Sequence, residues 1–479
     1  MNRTVFISAD HGLAIVYFLQ SDVVPTLLAG GARVVLLTDE ALKDKIQERF
    51  GQPGLVVESL RFREARAYFT GHRANVQWWL DFLRRAGASR RINLQAVDAF
   101  LAQVEDEAHP RRKRLFPLMR LAVAVLRRWR PARRWLVRAQ RRFDPNLYAD
   151  LFETYRPDLV VASTPGWRHD RYLLREAARR GVRTASVIVG WDNTSSYSLP
   201  GADVQAITCW SEIQKEELVR GSDWDPAKVH IGGIPSYDGY FRKEWQVPRE
   251  AYLRQHGLDP KRKLIGYASS FITFSPNIQN IEALARLVSE DRLAEPCQLL
   301  VRLHPNHFMD VERFAAERER ARELARQLPH VHVVEPVALG GELGHYSGED
   351  MPEKASFMAH SDVFTTVYST MVVEASLHDR PVVSAVLDSV EGWPGKFTLP
   401  LSRIGGWPTH RRFIESGAGK VANTEDELRE AINYYLMNPQ AELAERRAFI
   451  ERECTFTDGS TGRRTGEYLL SLSGNGNPG

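Results

Sequence analysis

Cysteine is scarce in this chain: three in 479 residues, Cys209, Cys297 and Cys454, all far apart. An odd number at such spacing excludes a disulfide framework, and no CxxC pair offers a metal site. A chain without disulfides suits a reducing compartment. Long apolar runs are missing too. No stretch reaches the roughly 20 apolar residues that cross a bilayer. The opening MNRTVFISADHG carries one Arg and a short apolar run broken by Asp10 and His11. That pattern reads as a first strand and not as a secretory signal. The expectation is a protein made and kept in the cytoplasm. Acidic residues are missing where basic ones crowd. Between His109 and Arg142 there are 13 Lys or Arg and no Asp or Glu, which leaves the remainder with 51 basic and 60 acidic residues, a net of −9. One segment therefore carries the basic character.

What is present is an ordinary globular balance, 43% apolar and 26% charged. The length suggests two or three domains. Val5 to Ser8, a helical pattern over Leu13 to Leu28, and Ala32 to Leu37 form a βαβ unit, which predicts a parallel sheet. The rhythm returns at Asp158 to Ser163, Leu173 to Arg180 and Thr184 to Val189. Phe62 to Pro145 departs from it, being helical and Arg-rich, and reads as an insertion. Gly and Pro density at GGIPSYDGYF, from Gly232, marks a hinge. A second α/β series follows with strands at Lys263 to Ala268, Gln298 to Leu303, His330 to Val334, Asp362 to Val367 and Pro381 to Val386. The expected division is 1–240 with a helical basic insertion at about 62–145, then 241–445, then a C-terminal helix and tail at 446–479. Two such domains are expected to face a cleft, with ligands at the C-terminal ends of the strands.

The chemistry-bearing residues fall at those strand ends. Arg302 and His304 close the strand QLLVRL, and Pro305 and Asn306 turn the chain away. A His presented there can donate to a phosphate or move a proton near neutral pH; the plainer reading is a capping His. Ser369 and Thr370 in YSTMVVEA open a helix after DVFTTV, where hydroxyls, backbone N–H groups and the helix dipole favour an anion. Glu374, about one turn deeper, could accept from ribose hydroxyls. An ordinary N-cap would explain the hydroxyls but not the Glu. Ser269 and Ser270 close KLIGYA ahead of FITFSPN, a loop that could hold a phosphate but lacks the glycine-rich fingerprint. On the first domain, Asp10 and His11 follow the first strand, where either could serve as general base for an acceptor hydroxyl. Trp191, Asp192 and Asn193 end TASVIV; an exposed Trp beside Asp and Asn suits a sugar-like acceptor, and a packed Trp with a capped turn is the competing reading. No metal site stands out. Arg463 and Arg464, in TDGSTGRR, could reach a phosphate or simply follow a turn.

The combination of strand–HPN, strand–YST…E and a late DGSxxRR resembles the CDP-glycerol glycerophosphotransferase-like branch of GT-B glycosyltransferases. A similar His-Pro and Ser/Thr pair occurs in bacterial sialyl- and Kdo-transferases that make surface polysaccharides. The resemblance runs from about Asp158 to Arg464 and fades over the insertion. It implies a GT-B fold of two Rossmann-like domains, with a nucleotide-activated donor held by the second and no separate cofactor. It places His304, Ser369 and Thr370 on the donor phosphates, Glu374 on the ribose and Asp10 or His11 on the acceptor side. The last helix is expected to cross back to the first domain. The donor could be a nucleotide-sugar or a CDP-alditol, and the acceptor a cell-surface glycan or a lipid-linked precursor. A nucleotide-sugar 2-epimerase and a non-catalytic nucleotide- or glycan-binding protein are the rival readings.

The basic segment fits a peripheral role at the inner face of the plasma membrane. FPLMRLAVAVLRRWR sets an apolar helix among arginines with Trp129 and Trp135 nearby, a pattern suited to an anionic surface. Arg127, Arg128, Arg133 and Arg134 are the candidate contacts. A solvated basic face is the bland alternative, and nucleic acid is disfavoured because no nucleic-acid-binding motif accompanies the charge.

Overall fold

The computed structural model describes residues 3–92, 94–270, 276–337, 340, 348–388, 401 and 405–474. The chain divides into two compact units, residues 1–238 with 339–343 and 454–479, and residues 239–338 with 344–453. The change of unit thus falls at 238/239 and 453/454. The segment expected as a separate piece from 446 is shared between the two units.

Unit one is built on seven parallel strands: β1 (Thr4–Ser8), β2 (Arg33–Thr38), β3 (Leu55–Ser59), β4 (Leu159–Ala162), β5 (Arg183–Val187), β6 (Ala206–Cys209) and β7 (Val229–Ile231), ordered β3-β2-β1-β4-β5-β6-β7. β1, β2 and β4 are continuous apolar runs and almost entirely buried, as strands covered on both faces must be. Each Val, Leu or Ile buried there contributes roughly 1.5–3 kcal/mol, so these short strands hold the sheet without help from their turns. The single helix expected over Leu13 to Leu28 is two, Gly12–Leu19 and Val23–Ala29, bent 44° at the break. Pro25 lacks the N–H that would bond back one turn and so stops the first helix from continuing. Among the described residues no single helix is long and apolar enough to cross a membrane.

The stretch between β3 and β4 is helical, with Phe62–Gly71, Ala74–Ala86, Gln95–Glu107, Phe116–Arg128 and Arg130–Ala139 as its longer pieces. It is pinned to unit one by Arg133, whose guanidinium reaches Asp223 at 2.6 and 2.9 Å, and by Tyr172, whose OH donates to Gln77. The last helix, Thr461–Gly474, also belongs to unit one. It lies close on Val23–Ala29, where a Cβ at Gly466 would come within 2.6 Å of Thr26, so only glycine permits that approach. Its N-terminus is capped by buried Asp238, which accepts from Thr461 N at 3.1 Å, Thr461 Oγ1 at 2.6 Å and Gly462 N at 2.7 Å. Arg464 pairs with Asp458 at 2.8 Å, and Arg463 is exposed beside Glu467. TDGSTGRR is therefore a helix start, and Arg464 is engaged within it.

Unit two has six parallel strands: β8 (Lys263–Ala268), β9 (Cys297–Arg302), β10 (Val331–Val334), β11 (Val363–Thr366), β12 (Val382–Ala385) and β13 (Lys420–Ala422), ordered β10-β9-β8-β11-β12-β13. All five strands expected from the sequence are present. In both sheets the order reverses beside the first strand, at β1/β4 and at β8/β11. A crevice opens at such a reversal, outside the C-terminal ends of the strands.

Candidate active site

In unit two the candidate residues gather at that reversal. Ser269 follows β8, His304 follows β9, and Ser369 and Thr370 follow β11; β8 is hydrogen-bonded to both of the others. Ser269 Oγ accepts from His304 N at 2.8 Å and donates to the Arg302 carbonyl at 3.1 Å. Its hydroxyl is thus a clamp between two strand ends. His304 caps the turn Pro305–Phe308, its Nδ1 accepting from Asn306 N at 3.1 Å. With Nδ1 an acceptor, the hydrogen of the neutral ring sits on Nε2. Burial, then the positive surroundings of His307, Arg302 and Lys354, push the His304 pKa well below its ordinary value. His304 is therefore a neutral hydrogen-bond donor at pH 7, not a cation.

The turn is braced from below. His307 Nε2 donates to Glu317 at 3.0 Å, and Glu317 also accepts from Asn277 N at 3.0 Å. Asn277 in turn bonds Ser270, accepting from its N at 3.3 Å and donating to its carbonyl at 3.1 Å. Ser270 thus enters the site as part of a loop anchor. The loop expected around FITFSPN lies, over 271–275, outside the described residues.

Glu374 is buried in the helix Met371–Ser376. Its Oε2 accepts from Tyr240 OH at 2.8 Å and pairs with Lys354 Nζ at 2.6 Å. Ser369 Oγ accepts from Met371 N at 3.3 Å, and Ser369 and Thr370 are partly exposed. Arg302 is buried and paired with Glu353 at 2.8 Å and with Asp350. That double pairing raises its pKa against the effect of burial and makes it a support for the strand end. Lys354 and Tyr240 were not singled out from the sequence. The signal for Lys354 is faint, one Lys beside Glu353 in MPEKASFMAH, whose helix runs Met351–His360.

In unit one, Asp10 is 2% exposed and lies at the β1/β4 reversal. Its Oδ1 accepts from His11 Nδ1 at 2.6 Å and from Ser163 Oγ at 2.9 Å, joining the ends of β1 and β4. Its Oδ2 has no hydrogen-bond donor and lies 3.7 Å from Arg168 Nε. Burial alone would raise the Asp10 pKa, but the bond and charge of His11, with Arg168 and Ser163, hold it well below the carboxylate range. Asp170 takes the opposite shift: burial, and then the charge of Asp10, push it up to about 8 although Thr164 donates to it. Asp10 is too buried to meet a substrate. It orients His11, whose side chain is 15% exposed, and leaves Nε2 to take a proton.

Trp191 is 1% exposed, which corrects the expectation of an open aromatic face. Gln214 donates to its carbonyl at 3.1 Å, and Asn193 Oδ1 accepts from Gly190 N at 2.8 Å. Asp192 is half-buried, and the loss of water around it raises its pKa. The WDN segment is a packed, closed turn. Among the described residues no group of three or more His, Cys, Asp or Glu is placed to hold a metal ion.

No protein-family model matches the chain, and no curated protein matches it. Solved structures do. A UDP-GlcNAc 2-epimerase from Neisseria meningitidis bound to UDP-GlcNAc is 13% identical, with 98% of this chain and 100% of that one covered and a TM-score of 0.54. The S. aureus MnaA–UDP co-structure is 13% identical, with 98% and 97% covered and a TM-score of 0.53. The fold is GT-B. A glycosyltransferase from Rickettsia africae also matches, at 10% identity, 99% and 100% coverage and a TM-score of 0.49. At these identities the likeness shows the architecture, and the reaction has to be argued from the side chains.

Proposed function

We propose that the chain is a glycosyltransferase-type enzyme that moves a sugar, or an alditol phosphate, from a nucleotide-activated donor to a cell-surface glycan or lipid-linked acceptor. The observation that carries this reading is the pair of polar clusters, one at the strand-order reversal of each sheet. In unit two, the neutral His304, with Ser369 and Thr370, can donate to the departing nucleotide's phosphates, and Lys354 adds a positive charge. Glu374, expected on the ribose, is buried on Tyr240 and Lys354 and holds Lys354 in place instead. In unit one, His11, oriented by Asp10, takes the proton of the acceptor hydroxyl. A transferase needs both clusters. A nucleotide-sugar 2-epimerase, the rival on the same fold, needs no acceptor. The deciding experiment is product analysis with nucleotide-sugars and CDP-glycerol as donors, each with and without a lipid-linked oligosaccharide. Acceptor-dependent release of nucleotide is expected. Conversion of a UDP-sugar to its epimer with no acceptor present would replace this reading with the rival.

The basic segment supports placement at an anionic membrane surface. Phe116–Arg128 buries Phe116, Met119, Val123 and Leu126 on one face and exposes Leu118, Leu121 and Val125 on another. Trp129 and Trp135 are 58% and 65% exposed. Arg114, Arg128, Arg134 and Arg138 of the same segment are exposed too. Apolar side chains among cations match a bilayer interface, where each nearby Lys or Arg adds about 1 kcal/mol of attraction. Two arginines expected to make contact do other work: Arg133 is buried on Asp223, and Arg127 pairs with Asp98. Replacing Arg114, Arg128, Arg134 and Arg138 together by Ser should abolish salt-sensitive flotation with phosphatidylserine vesicles. Unchanged flotation would remove the membrane from this reading.

A further inference from the structure

The helical stretch between β3 and β4, with Trp167 and Tyr197 from beyond β4, lines an open-mouthed cavity of about 360 Å³ that the chemistry above does not use. Its volume is at the lower end of small-molecule sites. Its walls carry the aromatics Trp78, Phe100, Trp167 and Tyr197 and five charges, Arg84, Arg85 and Arg112 against Asp81 and Glu107. Trp167 and Tyr197 stack with centroids 4.9 Å apart and planes 15° apart. A close backbone approach beneath them fixes that pair: a Cβ on Gly201 would lie 1.8 Å from the Gly166 carbonyl oxygen.

The charges in the cavity are unevenly answered. Arg84 is satisfied by Asp81 at 2.9 Å and by the carbonyls of Tyr197 and Leu199 at 3.1 and 2.9 Å. Asp81 is shared with Arg171 at 3.0 Å. Arg85 instead lies over the ring of Phe100 at 3.9 Å and near that of Tyr197 at 5.2 Å. Its Nε is buried without a hydrogen-bond partner, and burial lowers its pKa. Arg112 lies over Trp78 at 4.1 Å. Among the described residues neither Arg85 nor Arg112 has a carboxylate at ion-pair distance. The indole N–H of Trp167 is also buried without an acceptor. A buried guanidinium ordinarily has its counter-charge within the protein. Asp81 and Asp192 act on the half-buried Arg85 only at longer range, and Glu107 does not pair with it, so a close counter-charge and an acceptor are left for a ligand to supply.

The cavity also has a position. Trp167 is followed directly by Arg168, which lies 3.7 Å from Asp10. At the other side Ala108 and Arg112 lead into the basic segment. We infer that this cavity binds a sugar residue bearing an anionic group, a uronate or a sugar phosphate, as part of the acceptor. The ring lies against Trp167, and Arg85 with Arg112 takes the negative group. This rests on the transferase reading for the word acceptor, but the binding itself does not.

Isothermal titration of the full chain, without donor, tests it with four probes: glucuronate, glucose 1-phosphate, glucose and inorganic phosphate. Glucuronate or glucose 1-phosphate should bind at least tenfold more tightly than glucose or phosphate, and the preferred one names the anionic group. Arg85→Met, which keeps the stem and removes the charge, should weaken that binding tenfold or more. Trp167→Phe keeps the stack and removes the N–H, and should weaken it several-fold with an unchanged melting temperature. Equal binding of all four probes, or binding that both variants retain, overturns the inference. Acceptor-dependent transfer in a protein that binds neither anionic sugar would refute the cavity and leave the transferase standing. Anionic-sugar binding without any transfer would do the reverse.

Discussion

Replacing His304 by Ala is expected to lower donor turnover by about 10²–10³, the usual loss when one preorganised hydrogen-bond donor to a developing negative charge is removed. The ring is held for that task. Nδ1 is committed to Asn306 N, and His304 N is clamped by Ser269. Nε2 then carries the hydrogen. Because the pKa lies well below its ordinary value, the donor stays a neutral N–H across the pH range where enzymes of this kind are assayed. A depressed His pKa also has a stability sign. The folded state binds the proton less readily than the unfolded chain, so His304's contribution is complete above about pH 6.5 and is lost as pH falls toward the folded value. Acidification should therefore cost stability in wild type more steeply than in the Ala variant, read as melting temperature against pH. Two further variants separate capping from catalysis. His304→Asn can copy the Nδ1 cap but not reach the Nε2 position; His304→Gln can copy the Nε2–H but caps poorly. Turnover should survive better in Gln than in Asn. Recovery in Asn and not in Gln would show that His304 only shapes the turn.

The contrast with Trp191 shows what a sequence makes visible. His304, Ser369 and Glu374 were legible because a buried parallel strand is a run of apolar residues, and polar residues just past its end stand in the crevice by geometry. Both sheets and the helical character of the basic stretch follow from the same periodicity. The length of the first helix did not, because apolar residues on both sides of Gln20-Ser21-Asp22 keep helical spacing across the break. Trp191 occupies the same kind of strand end, yet it is packed and its carbonyl is taken by Gln214 from a later helix. Nothing local in GWDN distinguishes an open indole from a buried one. Arg133 makes the same point among thirteen basic residues: its partner Asp223 is 90 positions away. Lys354 became part of the site only through its bond to Glu374, on a different helix. Periodicity reports which face is buried; long-range pairing decides which charge is spent on structure and which is left for a ligand.

That distinction governs the Asp10–His11 pair, where replacement of Asp10 by Asn is expected to lower transfer by about 10²–10⁴. Asp10 accepts from His11 Nδ1 at 2.6 Å, which fixes the tautomer with Nε2 free of hydrogen and able to take the acceptor's proton. An Asn can present an N–H in its place, and the ring then turns to the opposite tautomer, with Nε2 already protonated. His11→Ala removes the base itself and should cost a similar factor, with the double variant little worse than either. The loss must be separated from simple destabilisation of a buried charge, and Asp170 provides the comparison. Its pKa is pushed up to about 8 by burial and by Asp10, so at pH 7 it is held protonated. A raised carboxylate pKa contributes stability below the ordinary value that is lost as pH rises through about 8. Asp170→Asn should therefore flatten the decline in melting temperature from the ordinary carboxylate range up to about pH 8 while keeping transfer, because His11 still meets an ionised Asp10. Asp10 has the opposite sign: its depressed pKa contributes above the ordinary carboxylate range and is lost on acidification. Asp10→Asn should thus flatten the acid limb of stability and, unlike Asp170→Asn, remove transfer. If the two variants lose transfer equally and in proportion to melting temperature, the pair is only a buried scaffold, and the base lies elsewhere.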